Sequence, residues 1–272
     1  MNSDAPSPMA AFDMTGKVAV ITGGASGIGE AACEIIAAQG GKVVVADLNI
    51  EGATSVAKRI EEAGGAAAPF EVNITSKDQN EALADFALAT FGGVHVWGNI
   101  AGIAAEGKVA DITETDLDRA ISINLKGTVF GCQAAMRAMR TTGEGGSIIN
   151  TASASIDIGV PGYAMYAMTK AAVAQLTMSM VWEVGRDKIR VNTIAPGSTI
   201  TPFTSRHAYD QDGTLNQEKY DEFVKRMKSI SPLRRVGEAQ DQANLILFLS
   251  SDAGAFCTGQ VWRSNGGQAI VR

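Results

Sequence analysis

Apolar runs rich in β-branched residues recur along the chain near residues 17–22, 42–46, 66–71, 94–100, 146–152, 189–194 and 260–264. An apolar run without polar alternation is what a strand buried on both faces requires. Stretches with helical periodicity separate these runs, beginning with Glu30 to Gln39. The alternation predicts an α/β fold: a doubly wound parallel sheet of about seven strands with helices on both faces. Right-handed crossovers bring a ligand to the carboxyl ends of the strands, at the switch point. The stretches from Thr128 to Arg140 and from Tyr163 to Gly185 are thick with Ala, Met, Val and Gly, and the second has almost no charge before Glu183. A helix apolar nearly all round must be covered on more than one side. The sheet covers one side of each, and either a second subunit or the chain's own C-terminal segment covers the other.

No linker-like stretch divides residues 15–272, which are expected to form one domain, whereas residues 1–14, with Pro6 and Pro8, read as a loose tail. From about 200 to 230 the strand pattern lapses. There Tyr220, Phe223, Val224 and Met227 follow i, i+3, i+4, i+7 spacing. That amphipathic helix is either a mobile lid over a substrate pocket or a helix packed on the sheet edge.

The first strand runs directly into Gly23-Gly24-Ala25-Ser26-Gly27-Ile28-Gly29 and then into helix. Strand, glycine turn and helix set backbone N–H groups and a positive helix end against a pyrophosphate. Side chains at these glycines would block the phosphates and the close helix–strand approach. An ordinary tight connection has the same ingredients, so the turn alone decides little. The second strand ends in Asp47, about twenty residues on, where a carboxylate can accept hydrogen bonds from the adenosine ribose and repel a 2′-phosphate. Leu48 and Asn49 follow it, and Ser26 stands where a phosphate-binding cation could have been. NAD(H) is therefore favoured over NADP(H).

Tyr166 and Lys170 lie four residues apart and share a helix face. A free tyrosine, with a pKa near ~10, is a poor base at neutral pH. A neighbouring cation favours the phenolate and is expected to lower that value. A core aromatic next to a surface lysine would show the same spacing, but the remaining motifs weigh against that.

With the glycine turn (Thr22 to Gly29), Asn99-Ile100-Ala101-Gly102, Asn124 in Ser122-Ile123-Asn124-Leu125-Lys126-Gly127, Ser153 thirteen residues before Tyr166, the Tyr-Lys pair, and Asn192 to Gly197 with Thr201, the chain resembles the short-chain dehydrogenase/reductase family from about Gly16 to Gly267. The resemblance implies a Rossmann-like fold and an NAD(H)-dependent oxidoreductase interconverting a secondary alcohol and its ketone. Tyr166 would be the general acid/base, and Ser153 would donate to the substrate oxygen. Lys170 would also hydrogen-bond the nicotinamide ribose, and Asn124 would hold a water linking the lysine to solvent. Asn124 could instead merely break its helix. The cofactor set implied is Gly23, Ser26, Gly27, Ile28, Gly29, Asp47, Asn73, Ile74, Asn99, Ala101, Gly102, Tyr166, Lys170, Pro196, Gly197, Thr199 and Thr201, with Thr199 and Thr201 at the nicotinamide end. Relatives commonly form homotetramers through the two apolar helices. Four positions depart from the family pattern: Ile100 for the second Asn of N-N-A-G, Asn73 and His95 for aspartates, and Asn265 for Asp in the closing D-G-G. Ile100 removes a polar tie expected to brace the central sheet.

A formal charge of −6 argues against nucleic acid or an anionic membrane as partner. No run reaches the ~20 apolar residues of a membrane span, and the N-terminus lacks the features of a secretion signal. Cys33, Cys132 and Cys257 are scattered without ligand spacing and read as buried small hydrophobes in a reducing, cytoplasmic setting; with His95 and His207 the only histidines, no metal is expected. Phe203, Val160, Ile103 and Met165 are expected to line an apolar pocket with few charges, suited to an apolar, cyclic or aryl, carbinol. Other activities compete. Tyr163 and Lys170 also fit the Y-x-x-x-x-x-x-K spacing of enoyl-thioester reductases, and a 3-oxoacyl thioester reductase would want a more basic rim. A redox-silent epimerase or dehydratase would use the same scaffold. A non-catalytic NAD-binding regulator would be expected to have lost part of Asn124, Ser153, Tyr166 and Lys170, all four of which are present.

Overall fold

The computed structural model describes residues 8–210 and 212–271. Its strands are β1 (Val18–Thr22), β2 (Lys42–Asp47), β3 (Ala66–Glu71), β4 (Val96–Asn99), β5 (Gly146–Thr151), β6 (Ile189–Ile194), β7 (Thr199–Ile200), β8 (Gly237–Glu238) and β9 (Val261–Trp262). Its α-helices are α1 (Gly27–Ala38), α2 (Ile50–Glu62), α3 (Lys77–Phe91), α4 (Glu114–Ala120), α5 (Gly127–Thr142), α6 (Ala164–Val184), α7 (Pro202–Ser205), α8 (Gln217–Ile230) and α9 (Ala239–Ser250). Seven strands form one parallel sheet in the order β3-β2-β1-β4-β5-β6-β9. The expected doubly wound sheet is thus the observed one. A separate two-stranded sheet, β7 with β8, falls where no strand pattern is legible, because a two-residue strand has no period to read.

Every residue of β1 is buried, and its neighbours divide between the two faces. Ala19 and Ile21 pack with Ile36, Val45, Ile149 and Leu249 on the α1, α2 and α9 side. Val20 packs with Val44, Leu83, Trp97, Met139 and Ile148 on the α3, α5 and α6 side. Burial on both faces is the physical cause of the unbroken apolar runs. Proline sits in β3, at the sheet edge, where a missing ladder N–H costs least.

The chain order reverses between β1 and β4, so the switch point opens beside Gly23 and Ile100–Gly102. Thr22 stitches it shut from below: its hydroxyl donates to Gly98 O at 3.1 Å and accepts from Ile100 N at 3.2 Å. The polar tie absent at Ile100 has a buried counterpart beneath it. Trp97 Nε1 donates to Asn99 Oδ1 (2.9 Å), Asn99 Nδ2 to Asn150 Oδ1 (2.8 Å), and Asn150 Nδ2 to Thr177 Oγ1 (2.8 Å). This chain crosses from β4 through β5 to α6.

The stretch expected to be loose differs from residue 8 onward. Pro8–Phe12 forms a 3₁₀ turn, and Met14 is fully buried against the α1 side of the sheet; residues 1–7 lie outside the described residues. On α6, Met168, Met178 and Trp182 remain exposed, Trp182 at 91%, so the chain's own C-terminal segment does not cover that face. Among the described residues no helix is long and apolar enough to cross a membrane, and no cluster of three potential metal ligands exists. Cys33 and Cys132 are buried, and Cys257 is partly so.

Candidate active site

A cleft of about 2000 Å³ runs along the carboxyl ends of the strands. At one end lies the glycine turn. Gly23 has φ +72°, and a Cβ there would stand 2.8 Å from Ala101 N. A Cβ on Gly29 would fall 2.0 Å from Gly23 O, so α1 presses on the turn with no room for a methyl. Ser26 occupies the N-cap of α1 in extended conformation, yet its hydroxyl makes no cap bond. The first-turn N–H groups therefore have no side-chain cap and face the cleft, which suits an anion. Asp47 is held ready beside them, its carboxylate accepting from Ala25 N (3.1 Å) and Asn49 N (2.9 Å).

These features fit a dinucleotide: a turn kept free of side chains by its glycines, uncapped donors, and an oriented carboxylate one strand away. Gly23, Ser26, Gly27, Ile28, Gly29, Asp47, Asn73, Ile74, Ala101, Gly102, Pro196, Gly197, Thr199 and Thr201 all line the cleft, as do Ser153, Tyr166 and Lys170. Asn99 does not. Its amide is consumed by Trp97, Asn150 and the Cys132 thiol inside the sheet, and it is a brace, not a lining residue. Asn124 is also fully buried behind the wall. Its Oδ1 accepts from Ile103 N (2.8 Å), and its Nδ2 donates to Ile103 O (3.0 Å) and Thr169 Oγ1 (3.2 Å). It sits in a π-helical stretch, Ile121–Lys126, between α4 and α5. Such a turn frees main-chain groups from the regular ladder, and Thr128 Oγ1 takes up Asn124 O at 2.9 Å. Helix disruption and a tie to the lysine side of the site thus occur together.

Tyr166 and Lys170 are buried side by side on α6, with Lys170 Nζ 5.6 Å from the Tyr166 ring centroid. Their electrostatics correct the expectation from spacing. Burial pushes the Tyr166 phenol up to about 12, opposed only by the Ser153 hydroxyl, and burial brings the Lys170 ammonium down to about 8. The low-dielectric wall disfavours both charges, against the lowered phenol pKa that the spacing alone predicts. Lys170 Nζ instead donates to Thr151 O at 2.8 Å.

The other end of the cleft also differs from expectation. Ile103, Val160 and Phe203 form apolar wall as expected, but Met165 is buried behind Tyr166 with Ala105 and Ala120. On α8 the half-buried residues are Tyr220, Phe223, Val224 and Met227, the expected apolar stripe; of these Phe223 and Met227 line the cleft, together with Lys219, Glu222, Lys225, Arg226, Ser229 and Ile230. Glu106, Arg119 and Arg206 add further charge to this end. Gln268 is another lining residue without a local signal; its Oε1 accepts from Ser198 N at 2.9 Å across 70 positions of chain. Leu48, 67% exposed on the cleft wall, was legible only as the residue after Asp47.

Residues 23–269 match a family model described as Enoyl-(Acyl carrier protein) reductase. A 2,5-dichloro-2,5-cyclohexadiene-1,4-diol dehydrogenase from Sphingobium indicum is 37% identical over 260 residues, 95% of this chain and 99% of that protein. The chain belongs to the short-chain dehydrogenase/reductase family. A 3-oxoacyl-[acyl-carrier-protein] reductase from Thermotoga maritima is 34% identical over 94% of this chain and 99% of that one. The crystal structure of a short-chain dehydrogenase/reductase from Mycobacterium marinum superposes with TM-score 0.89 at 31% identity, covering 97% and 100% of the two chains. As a short-chain dehydrogenase/reductase, the protein is an oxidoreductase of a family that binds a nicotinamide cofactor.

Proposed function

We propose that this short-chain dehydrogenase/reductase is an NAD(H)-dependent enzyme that interconverts an apolar, cyclic or aryl, secondary alcohol and its ketone. The observation that carries the reading is the burial of Tyr166 and Lys170, with the Ser153 hydroxyl against the phenol, in a cleft whose far end presents an oriented Asp47. Asp47 accepts from the adenosine ribose and repels a 2′-phosphate, since no cation among the lining residues of that end answers one. When bound, the cofactor accepts or donates the hydride. Ser153 donates to the substrate oxygen and stabilises charge developing there. Tyr166 exchanges the hydroxyl proton with that oxygen. Lys170, brought down to about 8 by burial, passes that proton on, and Asn124 beside it holds the water that links the lysine to solvent.

Residues 15–272 act as one catalytic domain, with residues 200–230 as lid: α8 has no buried residue and lies across the substrate end. The exposed Met168, Met178 and Trp182 on α6 suit a homotetramer contact. Three free thiols fit a cytoplasmic enzyme. The oxidation of cyclic and aryl secondary alcohols, followed by NADH absorbance, tests the reading. Tyr166→Phe should lose about 10²- to 10⁴-fold in kcat with NADH binding retained, and Tyr163→Phe should lose far less. The opposite ranking would make the protein an enoyl reductase; against that, Tyr163 OH is already committed to Glu106 at 2.8 Å. A 3-oxoacyl thioester reductase is the second reading, favoured by the unpaired Arg119, Lys225 and Arg226 around the cleft. Rapid NADH-dependent reduction of acetoacetyl-CoA, with cyclic alcohols inert, would select it.

A further inference from the structure

Tyr163 is a second phenol in the cleft, and the proton transfer above does not use it. Its ring packs edge-on against Tyr166 with centroids 6.2 Å apart, which places it beside the reacting phenol. Its hydroxyl donates to Glu106 Oε1 at 2.8 Å. Glu106 comes from the loop after β4 and also lines the cleft. The Arg206 guanidinium pairs with the same carboxylate, and His207 Nε2 lies 3.3 Å from Oε2. Three segments of chain therefore converge on one carboxylate, whose charge Arg206 balances.

The group retains capacity. A carboxylate offers about four acceptor positions, and a phenol that donates its proton keeps its own lone pairs. The Glu106 side chain is 33% exposed, open enough to take another donor. The cleft that Glu106 lines also has apolar wall at Ile103, Val160 and Phe203. A carboxylate with acceptor capacity left, lining the same cleft as the reacting phenol, selects for a hydroxyl in the ligand.

We propose that Glu106 and Tyr163 form a hydroxyl-binding subsite, so that the preferred substrate is a cyclic diol or hydroxyketone: its second hydroxyl donates to Glu106 while its reacting oxygen lies at Tyr166. This rests on the secondary-alcohol reading above. An analogue with a methyl in place of that hydroxyl leaves the acceptors facing a carbon, and a site built to bond a hydroxyl rejects such analogues strongly. If the cluster only ties the loop after β4 to the segment around α7, its loss alters stability and absolute rate but not the choice between substrates.

The test compares NADH-dependent reduction of 4-hydroxycyclohexanone and 4-methylcyclohexanone, which are matched in size. Wild type should favour the hydroxyketone by about 10- to 100-fold in kcat/KM, as for a hydrogen bond to a charged group. Glu106→Leu should bring the ratio toward one, and Tyr163→Phe should lower it part of the way. The ratio within one preparation does not depend on the fraction folded. Equal kcat/KM values in wild type, or a ratio unmoved by Glu106→Leu, would overturn the subsite. If neither ketone is reduced, calorimetric binding of cyclohexane-1,4-diol and 4-methylcyclohexanol to the enzyme with NADH decides, because an alcohol cannot be oxidised there. Tighter diol binding that Glu106→Leu abolishes sustains the subsite while the reductase reading fails. Equal binding, or none, overturns it.

Discussion

The two ends of the cleft are built differently. At the cofactor end, Gly23, Gly27 and Gly29 hold the turn in conformations and at distances that only glycine allows, and Asp47 is fixed by two main-chain N–H groups. At the substrate end, α8 has no buried residue, and the lining is a mixture of Phe223, Arg226, Glu106 and Arg206 held mainly by side-chain contacts. Backbone geometry shapes one end and side chains the other. The first should therefore fail abruptly when altered, whereas the second should tolerate change and shift its preference.

The largest expected effect is at Gly29. A valine there must displace Gly23 O, which stands 2.0 Å from the position of its Cβ, so Gly29→Val should abolish measurable NAD binding and cost about 3 kcal/mol of stability. Calorimetry and denaturant unfolding check both, and normal NAD affinity would show that the turn yields more easily than its packing implies. Next is Asp47→Ser, which should weaken NAD by about 10- to 100-fold and raise the relative use of NADP. Steady-state kinetics with both cofactors measure the ratio.

The catalytic wall between the two ends gives a smaller signal, read in pH. The Lys170 ammonium has a pKa near 8 when buried and 10.5 when exposed. Between those values the unfolded chain binds the extra proton, so this residue's contribution to stability rises with pH from about 8 to 10.5 and is lost as pH falls. Lys170→Met should accordingly raise the Tm of the cofactor-free protein at pH 7, at about 2–4 °C per kcal/mol. That advantage should shrink as pH climbs. A constant gap across pH 7 to 10 would place the charge in a wetter setting than its burial indicates. Smallest of all is Phe223→Ala on half-buried α8, expected to cost under about 1 kcal/mol in unfolding while raising KM for a cyclic ketone. A large loss of stability there would erase the contrast between the ends.

The same contrast governs what could be read before folding. The sheet was legible because strands buried on both faces must be apolar throughout, and the glycine turn because positive φ and close packing leave one residue type. The Tyr166–Lys170 pair was legible as a juxtaposition but not in its electrostatics. Helix spacing places two groups on one face, whereas their charge states depend on burial contributed by β5 and the loop after Ser153. The expected apolar lining is present at Ile103, Val160 and Phe203 and along the half-buried stripe of α8. The charged Glu106, Arg206 and Arg226 beside it were not legible, because only tertiary docking brings them to the cleft.

By itself, then, the sequence determined the α/β alternation, the glycine turn, the Asp47 that ends the second strand and the presence of Asn124, Ser153, Tyr166 and Lys170, because each is written in local backbone rules or in short spacings. Tertiary structure alone decided that Asn99 braces the sheet, that Gln268 reaches back to Ser198, and that Glu106 gathers Tyr163, Arg206 and His207. Those contacts join residues separated by 51, 70, 57, 100 and 101 positions. No local pattern encodes them, since they exist only once the sheet has brought its loops to one edge.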